Sequence, residues 1–164
     1  LLVLARAAAE AEAVAKAPWG VILMVCGVTL LISQVESAGG MDVFAGWMSR
    51  ASNAHTVHGV LAFVSGAIST YSSTSGVVMP AFLPTVPKLA AASGADPIAL
   101  VSSLVLGSHL VDVSPLSTIG AMAVAALAPG AARERLFRQL LAWSFSMTVV
   151  GALASMVFFA RLAR

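Results

Sequence analysis

Charged residues divide the chain into apolar segments of unequal length. Residues 17–35 and residues 139–160 contain no Asp, Glu, Lys or Arg. Each run is close to the roughly 20 residues that an α-helix needs to cross a bilayer. Lys16 and Glu36 flank the first run, and Arg138 and Arg161 flank the second, as is typical of the ends of membrane helices. We therefore predict transmembrane helices over 17–36 and 136–160.

Two shorter segments accompany the first predicted span. Residues 1–16 place isolated charges among alanines, which is typical of a polar linker or of a helix end. Trp19 follows as a candidate interfacial anchor. Residues 41–50 carry Met41, Phe44 and Trp47 at helical spacing over only ten positions. That length favours a helix lying at the membrane interface.

The longest charge-free run, residues 51–87, cannot be one straight membrane helix. A helix of that length would measure about 55 Å, whereas the hydrocarbon core is about 30 Å thick. Its middle, residues 69–76, is rich in Ser and Thr and ends in Gly76. Two short apolar arms joined by a hydroxyl-rich tip are typical of a re-entrant hairpin. We predict this hairpin over 55–90, with its tip at 70–76.

A second interrupted segment follows at residues 97–128. Pro115 lacks a backbone donor and breaks a helix, and the surrounding stretch 109–118 is polar. Irregular backbone at membrane depth is tolerated where it is buried in protein or lines a wet cavity. The pattern predicts a broken transmembrane helix that is unwound over 109–118.

Composition agrees with lipid as the solvent. The chain is 59% hydrophobic and 10% charged, with a mean hydropathy of +0.95, whereas soluble domains carry about 25% charged residues. A net charge of +2 gives no reason to expect a nucleic-acid partner, and one cysteine, Cys26, excludes a disulfide framework. The sequence starts Leu-Leu-Val, which we interpret as a piece of a longer protein. The predicted fold class is an all-α integral membrane protein.

The two interruptions carry the candidate chemistry. Interrupted hydrophobic segments in pairs point to the binding site of a secondary transporter. Helix N-termini at such breaks offer N–H groups to an anion, and free carbonyls can coordinate a cation. Hydroxyls near both breaks add neutral donors and acceptors, although Ser and Thr also pack membrane helices without any ligand. These hydroxyls belong to Ser73, Thr74, Ser75, Ser114, Ser117 and Thr118.

Two stretches also carry a family resemblance. SSTSGVVMPAFLP and GSHLVDVSPLSTIGAM resemble the C-terminal half of a malonate-type dicarboxylate carrier. The family belongs to the ion transporter superfamily that includes the divalent anion:sodium symporters. Many relatives have Ser-Asn-Thr at the hairpin tip. The matching positions here are Ser72, Ser73 and Thr74, so Ser73 stands where those relatives have asparagine.

The resemblance implies an inverted repeat, an elevator-like motion and a homodimer in a bacterial inner (plasma) membrane. It implies one half of a carrier, completed by an N-terminal half in the same or a separate chain. No cofactor is implied, but Na⁺ is a candidate coupling ion. The implied substrate site comprises Ser73, Thr74, Ser75, Ser117 and Thr118. The implied cation site comprises Ser72, Ser73, Gly76, Asp112 and Ser114.

Ionisable residues within the apolar segments are candidates for function by default. Asp112 lies in the predicted break. It can bind a cation, carry a coupling proton or form a structural hydrogen bond, for example with His109. His55 and His58 lie three residues apart near the hairpin mouth. Two histidines without further ligands do not make a typical metal site, so we interpret them as interfacial residues.

Three alternatives to a dicarboxylate carrier remain open. The first alternative is another transporter of the same superfamily, which moves an inorganic anion or exchanges sodium for protons. From another class, Ser75 and His109 suggest an intramembrane serine hydrolase, although the Gly-x-Ser-x-Gly elbow is missing. A non-transporting membrane scaffold is the third. We expect a transporter and not an enzyme.

Overall fold

The computed structural model describes residues 10–15, 19–53 and 55–162, and within these ranges the fold is all-α, with no strand. The all-α part of the predicted fold class is therefore confirmed. The helices are α1 (Glu10–Ala15), α2 (Trp19–Ser37), α3 (Gly40–Ala51), α4 (Val57–Ser69), α5 (Met79–Phe82), α6 (Val86–Ser93), α7 (Pro97–His109), α8 (Thr118–Ala125) and α9 (Ala131–Leu162).

Four prolines and a glycine explain why the segment after α4 is built from short helices. A π-helical turn at Thr74–Val78 leads into α5, and a 3₁₀ turn at Leu83–Thr85 leads into α6. Pro80, Pro84 and Pro87 lie in the first turns of α5, the 3₁₀ turn and α6, where a missing N–H costs least. Gly94 ends α6 with a φ of 71°, and Pro97 opens α7.

Asp96 fixes the start of α7. Its side chain accepts a hydrogen bond of 2.9 Å from the backbone N–H of Ala99, which satisfies one of the unpaired donors of the first turn. The helix then runs to His109, where the predicted break begins. Residues 110–117 are turns and bends, and α8 resumes at Thr118. The observed break is one residue shorter at each end than the predicted stretch 109–118.

One apolar core joins α3 to both arms of the hairpin and to α7. Leu61 from the first arm, Leu89 from the second and Leu100 and Leu104 from α7 are all fully buried in it, together with Met48 of α3. Phe44 of α3 contacts Phe82 of α5 edge-on, with ring centroids 5.4 Å apart. Because both arms share this core, the chain turns back at 70–73, as the hydroxyl-rich tip suggested.

Glycines allow α4, α7 and α9 to approach closely. A Cβ atom on Gly107 of α7 would lie 2.3 Å from the carbonyl oxygen of Ala62 in α4, and one on Gly66 would lie 2.9 Å from the oxygen of Gly107. Gly59 faces α9 in the same way, with Ala152 O at 3.0 Å from its ideal Cβ. Small residues at helix crossings are typical of membrane helix packing.

The long helix α9 buries most of its small polar residues, although Ser146 is exposed, and it exposes many of its large apolar residues. Ser144, Thr148, Gly151 and Ser155 are buried against the rest of the fold. Phe145, Leu153 and Phe158 are more than half exposed, as are other large apolar side chains of the same helix. This distribution is the reverse of a water-soluble surface helix, in which the apolar stripe faces the core.

One helix among the described residues has the length and apolar composition of a membrane span, and it is Ala131–Phe159 within α9. Only 22% of its most apolar window is buried inside the fold. By length and composition, this gives weak support for membrane association. Residues 19–37 form α2 at the other predicted position, but its role as a span stays a prediction.

The remaining predicted boundaries differ from the observed ones by a few residues. The predicted interfacial segment 41–50 forms α3, whose Met41, Ala45 and Met48 are buried, and Asp42 pairs with Lys88 of α6 at 2.8 Å. The last helix begins at 131 instead of 136. Of the predicted linker 1–16, only α1 lies within the described residues. Cys26 is exposed.

Candidate functional site

The hairpin tip is narrower than the sequence suggested, because the second arm begins at Thr74 and not near Val77. Ser73 adopts an extended conformation just before the π-helical turn, and its hydroxyl accepts a hydrogen bond of 3.1 Å from the N–H of Gly76. Val77 and Val78 both donate backbone hydrogen bonds to the carbonyl of Ser73. π-Helical turns occur often at functional sites. Here the turn places Thr74 at its first position and buries it completely.

The helix break is held together by its own serines. Ser114 is fully buried, and its hydroxyl accepts a bond of 3.3 Å from the N–H of Leu116. The hydroxyl of Ser117 contacts the carbonyl oxygens of Ser114, at 2.8 Å, and of Asp112. Gly120 lets this loop fold onto α8, since a Cβ there would lie 1.9 Å from the oxygen of Ser114.

The tip and the break meet at Thr74 and Asp112. Oγ1 of Thr74 lies 2.9 Å from Oδ1 of Asp112 and 3.2 Å from the carbonyl oxygen of Ser108. Oγ of Ser69, in the last turn of α4, lies 2.5 Å from the same Thr74 oxygen. Since a carboxylate only accepts, the Thr74 proton goes to Asp112 or to Ser108, and Ser69 donates to Thr74. The two interruptions therefore form one polar cluster.

This cluster is accessible on one side. Asp112 is only partly buried, whereas Ser69 and Thr74 are buried almost completely. Among the described residues, Oδ2 of Asp112 has no hydrogen-bond partner. One carboxylate, two hydroxyls and the Ser108 carbonyl supply the hard oxygen ligands that small cations prefer. A group of three His, Cys, Asp or Glu side chains is not found in the described parts of the chain.

Several predicted site residues lie apart from this cluster. Ser75 and Thr118 are exposed and make no side-chain hydrogen bond with any described residue. Ser72 lies in the turn after α4, and its hydroxyl donates to the carbonyl of Ile68 in the last turn of that helix, at 2.8 Å. Ser117 uses its hydroxyl proton on the backbone of the break, so its hydroxyl can offer a ligand only an acceptor. Of the predicted positions, the structure joins Thr74 and Asp112 directly.

The histidines have separate roles. Nδ1 of His109 bonds to the carbonyl of Val105, at 3.0 Å. The hydrogen bond suggested between Asp112 and His109 is therefore not formed, and Asp112 instead accepts from Thr74. His58 is fully buried and bonds through Nδ1 to Oγ of Ser103, at 3.1 Å. The interpretation of His58 as an interfacial residue was wrong, because the ring lies between α4, α7 and Phe159 of α9. His55 is exposed.

Sequence reasoning missed Ser69 and the Ser108 carbonyl. Ser69 belongs to the polar run at the tip, but it follows an apolar helix and looks like an ordinary packing serine. A five-residue separation from Thr74 brings the two hydroxyls together only because the chain reverses between them. Ser108 contributes a backbone oxygen, which no sequence pattern marks. The signal available was the turn itself, which places residues on both sides of it within reach.

No protein-family model, curated protein or solved structure matches this chain. The geometry of the described residues is therefore the observation that bears on function. That geometry gives no support to the hydrolase alternative, because no hydrogen bond joins Ser75 to His109 and the His109 ring is bonded within α7.

Proposed function

We propose that the chain is part of a secondary active transporter for a small dicarboxylate, such as malonate or a C4-dicarboxylate. It acts as the C-terminal half of the carrier, with an N-terminal half supplied by the same or a separate chain. Transport is cation-coupled and elevator-like, and the likeness of the two motif stretches to dicarboxylate carriers names the substrate class. The observation that carries the proposal is the hydrogen bond from Thr74 at the hairpin tip to Asp112 in the helix break.

The contact supports this function because it joins the two features that transporters use for binding. Unwound backbone and helix ends at membrane depth are stable only where they are buried in protein or line a cavity. In transporters these elements bind the substrate and the coupling ion. Asp112 is the one acidic side chain between Asp96 and Glu134. In this proposal it binds the cation with the Ser108 carbonyl, while the Ser73 and Thr74 region receives the carboxylate.

A membrane location has its own support in α9. A core helix of a soluble protein would be mostly buried, whereas α9 exposes large apolar side chains along most of its length and buries serine and threonine. Large exposed apolar surfaces mark sites of interaction with lipid or with partner proteins. We place the protein in the bacterial inner (plasma) membrane, as a homodimer in keeping with the resemblance.

Uptake by vesicles from cells that produce the protein tests the proposal. Labelled malonate and succinate are supplied with and without a sodium gradient, and vesicles without the protein give the background. We expect uptake that rises with the gradient and falls by about fivefold or more in Thr74→Val, because a buried partner left unsatisfied costs about 1–3 kcal/mol. Thr70→Val is the matched control, since the Thr70 hydroxyl bonds only to Gly66 O within α4.

The proposed site fails if the combined Thr74→Val and Ser117→Ala change leaves uptake undiminished. Uptake of an inorganic anion with no response to dicarboxylates would instead support the alternative substrate. If none of these solutes is taken up or alters thermal stability, the scaffold alternative gains support.

A further inference from the structure

A cavity of about 520 Å³ lies at the helix break, and no residue of the Thr74 cluster lines it. The break, α8 and the first turns of α9 each contribute to its wall. The serine hydroxyls that hold the break do not line it. Its lining includes Pro115, Ala121, Val124, Arg133, Phe137 and Arg138.

Among the described residues, the two arginines of this cavity have no ionic partner. Arg133 is partly buried and Arg138 is exposed, and neither forms an ion pair or a side-chain hydrogen bond within the parts of the chain that the structure describes. Glu134 also lines the cavity and is likewise unpaired there. The lining therefore has a net charge of +1. Two guanidinium groups at one cavity can bind a phosphate or carboxylate group with several charged hydrogen bonds.

The rest of the lining is apolar and would suit a hydrocarbon body more than a small hydrated ion. Ala121 and Val124 of α8 and Phe137 of α9 contribute to this apolar lining. The arginines precede the charge-free run 139–160 of the candidate span. In a bilayer, basic residues at such a position lie at the level of the lipid head groups. The cavity thus combines basic groups, which can bind a phosphate, with an apolar wall, which can contact acyl chains.

We propose that this cavity binds an anionic phospholipid, with its phosphate on Arg133 and Arg138 and its glycerol and upper acyl carbons against Phe137 and Val124. The inference goes beyond transport and rests only on the membrane location of α9. Lipid bound there would cover the wall formed by Pro115, next to the loop that carries Asp112. If transport is absent but lipid binding is observed, the lipid-site proposal stands. If lipid binding is absent but transport is observed, the proposed transport function stands.

Native mass spectrometry of the purified full chain in detergent tests this site with phosphatidylglycerol, and with phosphatidylcholine as the neutral lipid. We expect preferential phosphatidylglycerol binding that weakens about twentyfold or more in Arg133→Gln plus Arg138→Gln. This follows from about fivefold for each arginine near an anionic lipid. Arg135→Gln removes the same charge from the same helix, but Arg135 does not line the cavity, so we expect less than a twofold change.

Further variants separate a built site from diffuse attraction. Glu134→Gln should tighten phosphatidylglycerol binding, because it removes a negative charge from the lining. Arg133→Lys plus Arg138→Lys keeps the charge but loses the planar guanidinium groups that can hold a phosphate, so it should weaken phosphatidylglycerol binding severalfold, which provides a test if the glutamine variant does not fold. Equal weakening by Arg135→Gln, or no preference for phosphatidylglycerol over phosphatidylcholine, would overturn the proposal. Displacement of the lipid by malonate at millimolar concentration would assign the cavity to free carboxylates and would also overturn it.

Discussion

The hydroxyl of Thr74 lies 2.9 Å from the carboxylate of Asp112, although the two residues are 38 positions apart in the chain. One stands at the turn between two short helical arms and the other in the middle of a broken helix. Thr74 is fully buried, while Asp112 keeps one side open. Because Ser69 donates to Thr74, the Thr74 proton is available to the carboxylate or to the Ser108 carbonyl. The contact orients Asp112 through a neutral hydroxyl group.

Removing the charge of Asp112 should therefore separate cation coupling from site structure. Asp112→Asn keeps an oxygen that can accept from Thr74, but it removes the charge that a cation requires. We expect dicarboxylate uptake to lose its response to a sodium or proton gradient, with a change in thermal unfolding temperature of less than a few degrees. The measurement is uptake with each gradient imposed in turn, together with a thermal unfolding curve.

Asp96→Asn is the matched control for this variant. Asp96 is exposed and caps α7 through its bond to Ala99 N, and asparagine caps a helix about as well as aspartate. We expect coupling to be unchanged in that variant. Full retention of gradient dependence in Asp112→Asn would show that the carboxylate has no part in coupling.

The helix breaks could be predicted from the sequence, because a single helix over 51–87 would be longer than a bilayer is thick and because proline interrupts a helix. Residues 51–87 are too long for one span, and Pro115 interrupts any helix through 110–117. The meeting of Thr74 with Asp112 could not be predicted in the same way, since it depends on how α4 crosses α7. That crossing is set by backbone contact at Gly66 and Gly107. Neither glycine is distinguishable by sequence from others, such as Gly27, at which an added Cβ would have no neighbour within 4 Å.

Gly107 should be the least replaceable glycine of the α4–α7 crossing. In Gly107→Ala the new methyl group would lie 2.3 Å from Ala62 O, so the helices must separate. We expect a loss of about 1–3 kcal/mol or more in the free energy of unfolding, measured by thermal or chemical denaturation. Gly27→Ala should be neutral or slightly stabilising, because nothing lies within 4 Å of that position and alanine favours helix. Equal effects of the two changes would contradict the close crossing of α4 and α7.

Ser75 should show no catalytic reactivity. Its side chain is exposed and has no bond to His109, whose Nδ1 lies 3.0 Å from Val105 O. Without a base in contact, a serine hydroxyl is a weak nucleophile. We expect a fluorophosphonate probe to label the protein no more than it labels Ser75→Ala, measured by in-gel fluorescence with a known serine hydrolase as the positive control. Labelling that disappears in Ser75→Ala would revive the hydrolase alternative.

The buried pair of His58 and Ser103 should stabilise the packing of α4 on α7. Ser103 Oγ donates its single proton to Ala99 O, at 2.8 Å, so Nδ1–H of His58 is the donor in the bond to Ser103. Nε2 has no partner among the described residues. Ser103→Ala removes the side-chain acceptor of Nδ1–H, which should cost about 1–3 kcal/mol in the free energy of unfolding. In a His58→Phe background the same change should cost less, because no buried imidazole remains to be satisfied.

A double-mutant cycle by denaturation measures the difference between the two costs, and we expect a coupling free energy of about 1 kcal/mol. Additive effects would show that the two side chains do not interact. Independently, ¹⁵N NMR that finds the proton of the His58 ring on Nδ1 would support the hydrogen bond.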